Sequence, residues 1–279
     1  MTPFLKMHGL GNDFVVFDAR NQPVLLDPVR AHAVADRRRG IGCDQVIVIE
    51  GRASDAPARI RIYNADGGEV ESCGNAARCV ARLLLEESGR DSIRLDTDAG
   101  PLLCRDAGGM VSVDMGAPRF GWRDIPLSEE RNTDSFSLDI PGSDLPALKE
   151  AAAVSIGNPH CVLFVEDAER APVEALGPAI ERHTLFPERT NVEFVQVLAP
   201  DRLRMRVWER GAGVTLACGT GACAAMAAGR RRGVCGSTVE VALDGGALRI
   251  GWNGGDSHVF MTGPSAFSFR GEIDLETLA

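Results

Sequence analysis

The sequence predicts an α+β protein made of two similar domains that arose by internal duplication. Two observations support this prediction. With 279 residues, the chain is near the length at which one hydrophobic core stops growing and a second one forms. In addition, one stretch of sequence occurs twice, and each copy has the pattern of a strand, a glycine-rich loop and a helix.

The two copies are separated by a constant offset of 145 residues, since 204 − 59 = 145 and 218 − 73 = 145. Identical residues in the copies are Arg59/Arg204, Arg61/Arg206, Gly68/Gly213, Cys73/Cys218 and Gly74/Gly219. A weaker echo at an offset of 146 relates Gly11-Asn12 to Gly157-Asn158 and Gln45-Val46 to Asn191-Val192. An internal duplication therefore explains the sequence better than two unrelated domains do.

Each copy predicts the same elements in the same order. Alternating arginine and apolar residues at 59–63 and 204–208 predict strands with one buried face. Alanine-rich stretches at 75–87 and 220–232 favour helices, and further strands are predicted at 93–97 and 238–243. Between the copies, the proline-rich polar segment 117–146 is the best candidate for a linker.

The composition indicates a globular protein, with 44% hydrophobic and 25% charged residues. No apolar run approaches the roughly 20 residues that a membrane span needs, and the first residues lack the pattern of a signal peptide. We therefore expect a cytoplasmic protein with no membrane partner. A net charge of −9, with basic runs of only three residues, also argues against a nucleic-acid partner.

Eight cysteines are present, but none of them forms a C-x-x-C pair, so zinc-ribbon and thioredoxin spacings are absent. Buried cysteines usually pack as small hydrophobic residues. Five of them have no identical counterpart in the other repeat and fit structural roles: Cys79, Cys104, Cys161, Cys223 and Cys235.

Cys73 and Cys218 are different, because each comes immediately before a predicted helix at equivalent positions of the repeat. The start of a helix presents unpaired backbone N–H groups and a positive dipole end. An ordinary thiol pKa of ~8.5 would fall by up to about one and a half units there, which brings it close to neutrality.

Paired cysteines suggest acid–base chemistry at a carbon centre. If both sulfurs meet one ligand, like-charge repulsion favours one thiolate and one thiol. A base on one face and an acid on the other is what inversion of a carbon centre requires. On repetition alone, the alternative is that Cys73 and Cys218 are small residues that fill equivalent tight turns.

Ordered motifs along nearly the whole chain resemble the diaminopimelate epimerase family. The matching segments are Met7–Phe14 (MHGLGNDF), Gly40–Gln45 (GIGCDQ), Tyr63–Asp66 (YNAD), Cys73–Asn75 (CGN), Gly157–His160 (GNPH), Phe186–Asn191 (FPERTN), Trp208–Gly211 (WERG) and Ala217–Gly221 (ACGTG). So many matches in order are far more specific than any single motif.

The resemblance implies two pseudo-symmetric domains, each a mixed β-sheet curled around a central helix, with the active site in the cleft between them. It implies that the last strand returns to the first domain, which gives boundaries of 1–117 plus 264–279 and 118–263. It also implies interconversion of LL- and meso-2,6-diaminopimelate on the way to lysine and peptidoglycan. No pyridoxal phosphate, other cofactor or metal would be needed, and a homodimer is expected.

By the same resemblance, Cys73 and Cys218 are the two catalytic bases. The substrate-binding residues would be Asn12, Gln45, Asn64, Gly74, Asn75, Asn158, Asn191, Glu209, Arg210, Gly219 and Thr220. Arg210 would hold the distal carboxylate, and His160 and Glu209 would contact the α-amino end and support catalysis. Arginine suits this role because its guanidinium binds a carboxylate in a bidentate manner.

Four positions depart from the family pattern: Ala76, Cys43, Val214 and Phe269. The first three are expected to be packing variation, whereas Phe269 stands where a tyrosine often supports the dimer interface. Three other functions stay open at this point. They are a nucleotide-binding oxidoreductase, suggested weakly by Gly219–Ala224 (GTGACA), a proline racemase or hydroxyproline epimerase, and a non-catalytic amino-acid binder.

Overall fold

The computed structural model describes residues 1–51, 58–70, 73–139 and 150–278. The chain divides into two compact units, residues 1–113 with 262–279 and residues 114–261. The described residues form 18 strands and four helices, which confirms the predicted α+β class. Within these ranges, no helix combines the length and the apolar character that crossing a membrane requires.

The first unit is a mixed sheet with one helix buried against it. Its elements are β1 (Thr2–Gly9), β2 (Asn12–Ala19), α1 (Pro28–Ala35), β3 (Gln45–Glu50), β4 (Arg59–Asn64), β5 (Glu69–Val70), α2 (Gly74–Ser88), β6 (Ser92–Thr97), β7 (Gly100–Asp106), β8 (Val111–Asp114) and β18 (Ala266–Ile273). Strand β2 pairs in parallel with β3 and antiparallel with β1, and β4 pairs in parallel with β6. The last strand, β18, pairs antiparallel with β1.

Helix α2 is buried along most of its length and packs against β1, β2, β6 and β7. Residues 74–81 are all buried, whereas the last turn, with Glu86, Glu87 and Ser88, is exposed, so the first half of the helix lies inside the core. It begins after Cys73 and ends at Gly89, whose left-handed φ of 63° lets its N–H cap the Leu85 carbonyl. On the other face of the sheet, α1 covers side chains that include Val15 and Phe17.

The second unit repeats this arrangement. Its elements are β9 (Phe136–Ser137), β10 (Glu150–Ser155), β11 (Pro159–Phe164), α3 (Val173–Glu181), β12 (Asn191–Ala199), β13 (Arg202–Glu209), β14 (Gly213–Val214), α4 (Gly219–Arg231), β15 (Thr238–Leu243), β16 (Gly246–Gly251) and β17 (Phe260–Gly263). Helix α4 is buried against β10, β11, β12 and β16. It ends in Arg230 and Arg231, where cations meet the negative end of the helix dipole.

The parallel strand pair of each unit has the same register. In the first unit β2 and β3 are parallel with Phe14 opposite Gln45, and in the second β11 and β12 are parallel with His160 opposite Asn191. Both pairs differ by 146, since 160 − 14 = 146 and 191 − 45 = 146. The duplication seen in the sequence is therefore a duplication of topology.

The prediction of a linker over 117–146 is wrong for residues 117–139. Ile125, Leu127, Phe136 and Leu138 from this segment are buried in the hydrophobic core of the second unit, together with α3. The prolines and polar residues make the backbone of this segment irregular. The apolar side chains between them are nevertheless buried in the core. The rest of the predicted linker, 140–149, lies outside the described residues.

Candidate active site

Cys73 stands at the N-terminus of α2, in an extended conformation (φ −147°, ψ 116°), and Gly74 and Asn75 are the first helical residues. The extended cysteine followed by glycine turns the chain sharply into the helix. The first backbone N–H groups of a helix have no intrahelical acceptors, so this end can bind an anion. The half-buried Cys73 thus lies next to a set of N–H donors.

Side-chain amides gather near this helix start. Asn75 Nδ2 donates to Asn12 Oδ1 at 3.3 Å, and Asn12 Nδ2 donates in turn to Asp44 Oδ2 at 3.0 Å. A second pair of amides, on neighbouring strands, joins Gln45 Nε2 to Asn64 Oδ1 at 2.9 Å. The buried Gln45 Oε1 has no hydrogen-bond partner among the described residues, which makes it an acceptor for a donor on a ligand.

Cys218 has the equivalent position at the start of α4, again in an extended conformation (φ −114°, ψ 112°). Its Sγ accepts a hydrogen bond from the Gly221 N–H at 3.4 Å and lies 3.6 Å from Thr220 Oγ1. Only 4% of the residue is exposed. Gly219 and Thr220 supply the N–H groups that correspond to those of Gly74 and Asn75.

Burial raises the pKa of the Cys218 thiol well above its ordinary value, and the carboxylates of Glu209 and Glu193 raise it further. Hydrogen bonds from Thr220 and Gly221 act in the opposite direction and are weaker. The expectation that the helix start brings the pKa of this thiol close to neutrality is therefore wrong for Cys218. It considered the helix dipole but not the two acidic neighbours.

Glu209 ends strand β13 beside Cys218. The Thr215 hydroxyl donates a short hydrogen bond to Glu209 Oε1. Burial raises the pKa of the Glu209 carboxyl, so this group holds a proton more readily than an exposed glutamate does. Glu209 and Cys218 are thus two proton-carrying groups in one place.

His160 lies in strand β11, and both of its ring nitrogens already have partners. Nδ1 lies 2.7 Å from Glu193 Oε1, and Nε2 lies 2.8 Å from Asn158 Oδ1. Asn158 Nδ2 donates onward to Thr220 Oγ1 at 3.4 Å. Both ring nitrogens of His160 are therefore engaged by side chains of the same unit.

Glu193 is the residue of this site that sequence reasoning missed. It is fully buried in β12, where all its neighbours in the strand are apolar or amide residues. The signal was present in the repeat, because Glu193 aligns with Ile47 at the offset of 146. A glutamate in the second copy at the position of a core isoleucine in the first indicates a role other than packing.

Asn191 and Arg210 form a separate pair. Asn191 Nδ2 donates to the Pro159 carbonyl at 2.9 Å, and Asn191 Oδ1 accepts from the Arg210 N–H at 3.0 Å. The exposed Arg210 guanidinium donates to the Glu188 carbonyl at 3.1 Å. Asn191 therefore fixes the backbone that presents Arg210.

The predicted site residues thus fall into four groups. The first unit brings Asn12 and Asn75 to the Cys73 helix start, and it pairs Gln45 with Asn64. The second unit brings Asn158, His160, Thr220 and Glu209 around Cys218, and it pairs Asn191 with Arg210. Within residues 1–51, 58–70, 73–139 and 150–278, no three histidine, cysteine or acidic side chains are arranged to hold a metal ion.

Comparison with known proteins decides the family. The family model described as "Diaminopimelate epimerase" matches residues 4–121 and 152–268. The chain belongs to the diaminopimelate epimerase family. The resemblance inferred from the sequence motifs is thereby confirmed.

Several relatives named diaminopimelate epimerase share about half of their residues with this chain. The relative from Acidiphilium cryptum (strain JF-5) is 51% identical over 278 residues, which cover 99% of this chain and 98% of the relative. The relative from Phenylobacterium zucineum (strain HLK1) is 53% identical, with 97% of each chain covered. The similarity to members of the diaminopimelate epimerase family therefore extends over both units.

Solved structures at low sequence identity share the fold. A probable proline racemase from Agrobacterium radiobacter K84 has a TM-score of 0.68 at 18% identity, covering 99% of this chain and 93% of that one. A phenazine biosynthesis protein of the PhzF family from Enterococcus faecalis has a TM-score of 0.69 at 14% identity, covering 98% and 99%. At these identities the likeness concerns the fold alone.

Proposed function

We propose that this protein is a diaminopimelate epimerase that interconverts LL- and meso-2,6-diaminopimelate, with Cys73 and Cys218 as the paired base and acid. One observation carries the proposal. The two cysteines occupy equivalent positions at the starts of α2 and α4, in two units with the same topology. Membership of the diaminopimelate epimerase family is the basis for assigning diaminopimelate as the substrate.

The chemistry is a proton transfer in which nothing is consumed. One cysteine, as thiolate, takes the proton from the α-carbon, so that an S–H bond forms and the C–H bond breaks. The electron pair left on the α-carbon delocalises into the substrate carboxylate. The other cysteine, as thiol, gives its proton to the opposite face and becomes the thiolate.

The helix starts supply the electrostatic stabilisation for this step. Negative charge grows on the carboxylate as the α-carbon loses its proton, and backbone N–H groups aimed at that charge stabilise the transition state. Gly74 and Asn75 in α2, and Gly219 and Thr220 in α4, are the donors we assign to this task. With these donors in place, we expect the reaction to need no cofactor or metal.

The two units differ where an unsymmetrical substrate needs them to differ. At the repeat position where the second unit has Glu209 and Arg210, the first has Asn64 and Ala65. We assign the distal carboxylate to Arg210 and the amino groups to acceptors such as Glu209 and the buried Gln45 Oε1. His160 supports Asn158 rather than contacting the substrate itself.

We also propose a cytoplasmic homodimer with no membrane or nucleic-acid partner. Two-cysteine catalysis needs reduced sulfurs, and the cytosol keeps thiols reduced. Phe267 and Phe269 on β18 are each about half exposed, at 50% and 49%, and such a pair of exposed aromatic side chains favours a protein interface.

The function is tested by incubating the protein with LL-diaminopimelate in deuterated water and following deuterium at the α-carbon and formation of the meso isomer. We expect exchange and interconversion in the wild type, and loss of interconversion in Cys73→Ala and in Cys218→Ala. Cys235→Ala is the matched control. This buried cysteine has a pKa raised to about 11 by burial, and its Sγ donates to the Met226 carbonyl in the later part of α4 rather than at the helix start.

Three outcomes would contradict the proposal. Full interconversion by either alanine variant would exclude the two-base mechanism. Exchange with proline but not with diaminopimelate would exclude the substrate. Binding of diaminopimelate without any exchange would indicate a non-catalytic amino-acid binder.

A further inference from the structure

His160 and Glu193 form a buried polar pair on the face of the second sheet that α4 covers. Both residues are 0% exposed, and His160 Nδ1 lies 2.7 Å from Glu193 Oε1. A Cβ atom at Gly221, in the first turn of α4, would lie 2.9 Å from Glu193 Oε1. The carboxyl group is therefore pressed against the same helical turn that begins at Cys218.

The first unit shows what the fold itself requires at these two positions. In the matching register, Phe14 takes the place of His160 and Ile47 takes the place of Glu193. Phe14 and Ile47 are also fully buried. Because apolar side chains fill the same places in the other copy, the fold does not need a polar pair there. Buried ion pairs often stabilise a protein less than apolar residues of similar size do.

The charge balance of the pair fixes where its proton lies. Glu193 Oε2 has no hydrogen-bond partner among the described residues, and burial raises the pKa of this carboxyl. A net negative charge at such a place is costly, so the pair keeps one proton between Oε1 and Nδ1. The Asn158 oxygen can only accept, so His160 Nε2 carries a proton as well.

From His160 the hydrogen bonds run in one direction to Cys218. Nε2 donates to Asn158 Oδ1, which turns the Asn158 Nδ2 group toward Thr220 Oγ1. Thr220 Oγ1 accepts that N–H, so its own O–H is available for Cys218 Sγ, 3.6 Å away. A donor aimed at sulfur favours the thiolate over the thiol.

We propose that Glu193 is a positioning residue that keeps His160 protonated at Nε2 and, through Asn158 and Thr220, holds a hydrogen-bond donor against Cys218. Glu193 does not touch the substrate. The role of the Cys218 thiolate in proton transfer at the α-carbon rests on the proposed epimerase function.

The first test reads the protonation of His160 directly. Nitrogen NMR of protein labelled in its histidine side chains distinguishes an Nε2–H from an Nδ1–H ring, and the His160 signals are those missing from His160→Phe. We expect the wild type to keep Nε2–H throughout the pH range of activity. In Glu193→Gln we expect the neutral Nδ1–H ring to appear, because an amide can pair with either form of the ring.

The second test measures Cys218 without substrate, by its rate of alkylation with iodoacetamide at fixed pH, resolved by peptide mass spectrometry. Loss of one hydrogen bond to a thiolate corresponds to about one pKa unit, so Glu193→Gln should slow Cys218 alkylation about ten-fold. Cys73, in the other unit, is the control in the same sample, and its alkylation rate should not change. Turnover of diaminopimelate, measured separately, should also fall about ten-fold in kcat/KM, in proportion to the smaller thiolate fraction of Cys218.

Two control variants separate positioning from structure. Glu181→Gln removes another buried carboxyl of the same unit, one that accepts from Trp208 Nε1 at 2.7 Å, and should lower the melting temperature without changing the His160 signals. The double variant His160→Phe/Glu193→Ile copies the pair of the first unit. It should fold with a melting temperature no lower than that of the wild type and have slow Cys218 alkylation.

The proposal is overturned if wild-type His160 is a neutral Nδ1–H ring, a result that needs no variant. It is also overturned if Glu193→Gln lowers the melting temperature but keeps the His160 signals, Cys218 alkylation and kcat/KM. A double variant that unfolds would assign the pair a structural role. Because the NMR and alkylation measurements use no substrate, failure of the proposed function would be seen separately, as absence of turnover alone.

Discussion

Gly221 shows how closely the first turn of α4 is fitted to its neighbours. A Cβ atom there would lie 2.9 Å from Glu193 Oε1 and 3.3 Å from Cys218 Sγ. The backbone at Gly221 is ordinary helix, so conformational freedom is not the reason for glycine at this position. The reason is space, since a methyl group would displace the carboxyl or the sulfur.

We therefore expect Gly221→Ala to reduce kcat/KM by at least about ten-fold while the protein stays folded, because small displacements at reacting groups have large effects on rate. The measurement is steady-state epimerisation together with a thermal melt. Gly236→Ala is the control, since a Cβ there meets only the Pro200 carbonyl at an ordinary 3.6 Å. Normal activity in Gly221→Ala would contradict this prediction, because it would show that the first turn of α4 accommodates a methyl group.

At the scale of elements, a charged network ties the first two strands to the loop before β3. Lys6 Nζ lies 2.7 Å from Asp13 Oδ2 and also donates to the Gly42 carbonyl, and Arg37 contacts Asp13 Oδ1 at 2.7 Å. Burial alone would raise the pKa of Asp13. Hydrogen bonds from Arg37 and Lys6 outweigh burial and hold the pKa well below its ordinary value of 3.8.

We expect Asp13→Asn to lower the free energy of unfolding by about 3 kcal/mol at neutral pH, because the buried Lys6 ammonium would lose its charged partner. A depressed pKa in the folded state contributes stability above the ordinary value. That contribution shrinks as pH falls below about 3.8 toward the folded-state value. The gap between wild type and variant should therefore close on acidification, as measured by urea unfolding at several pH values.

Asp18→Asn is the control on the same strand. Asp18 pairs with Arg20 at 2.7 Å, but its side chain is 40% exposed. Exposed pairs contribute ~0 to 1 kcal/mol, so this variant should change stability little. Equal losses in the two variants would show that burial of Lys6 is unimportant.

For the molecule as a whole, the proposed homodimer can be tested at β18. Phe269 packs edge-on against Phe4 at 6.1 Å between ring centroids, yet half of it stays exposed. We expect Phe269→Glu to weaken dimerisation by about 30-fold or more, the effect of removing an aromatic interface residue worth ~2 kcal/mol. Sedimentation equilibrium measures it, with Phe260→Glu, 40% exposed on β17, as the control. A wild type that sediments as a monomer would refute the dimer itself.

The duplication also explains which parts of the fold could be predicted. Local signals, such as the alternation at Arg59–Asn64 and the Cys-Gly turn before α2, depend on neighbours in sequence and give the observed elements to within a residue or two. The prediction of a linker at 117–139 was wrong because the burial of this segment depends on packing against α3, which lies far along the chain. The predicted boundaries, 117/118 and 263/264, stand a few residues from the ends of the compact units at 113 and 261.

The sequence by itself determined the α+β class, the repeat, the two cysteines at helix starts and the family, because these depend on residue order and spacing. Only the tertiary structure decided the state of those residues. Burial, Glu209 and Glu193 raise the pKa of Cys218, and Glu193 and Asn158 occupy the two ring nitrogens of His160. Burial and charge act through space, and positions far apart in sequence meet only when strands pair and helices cover them.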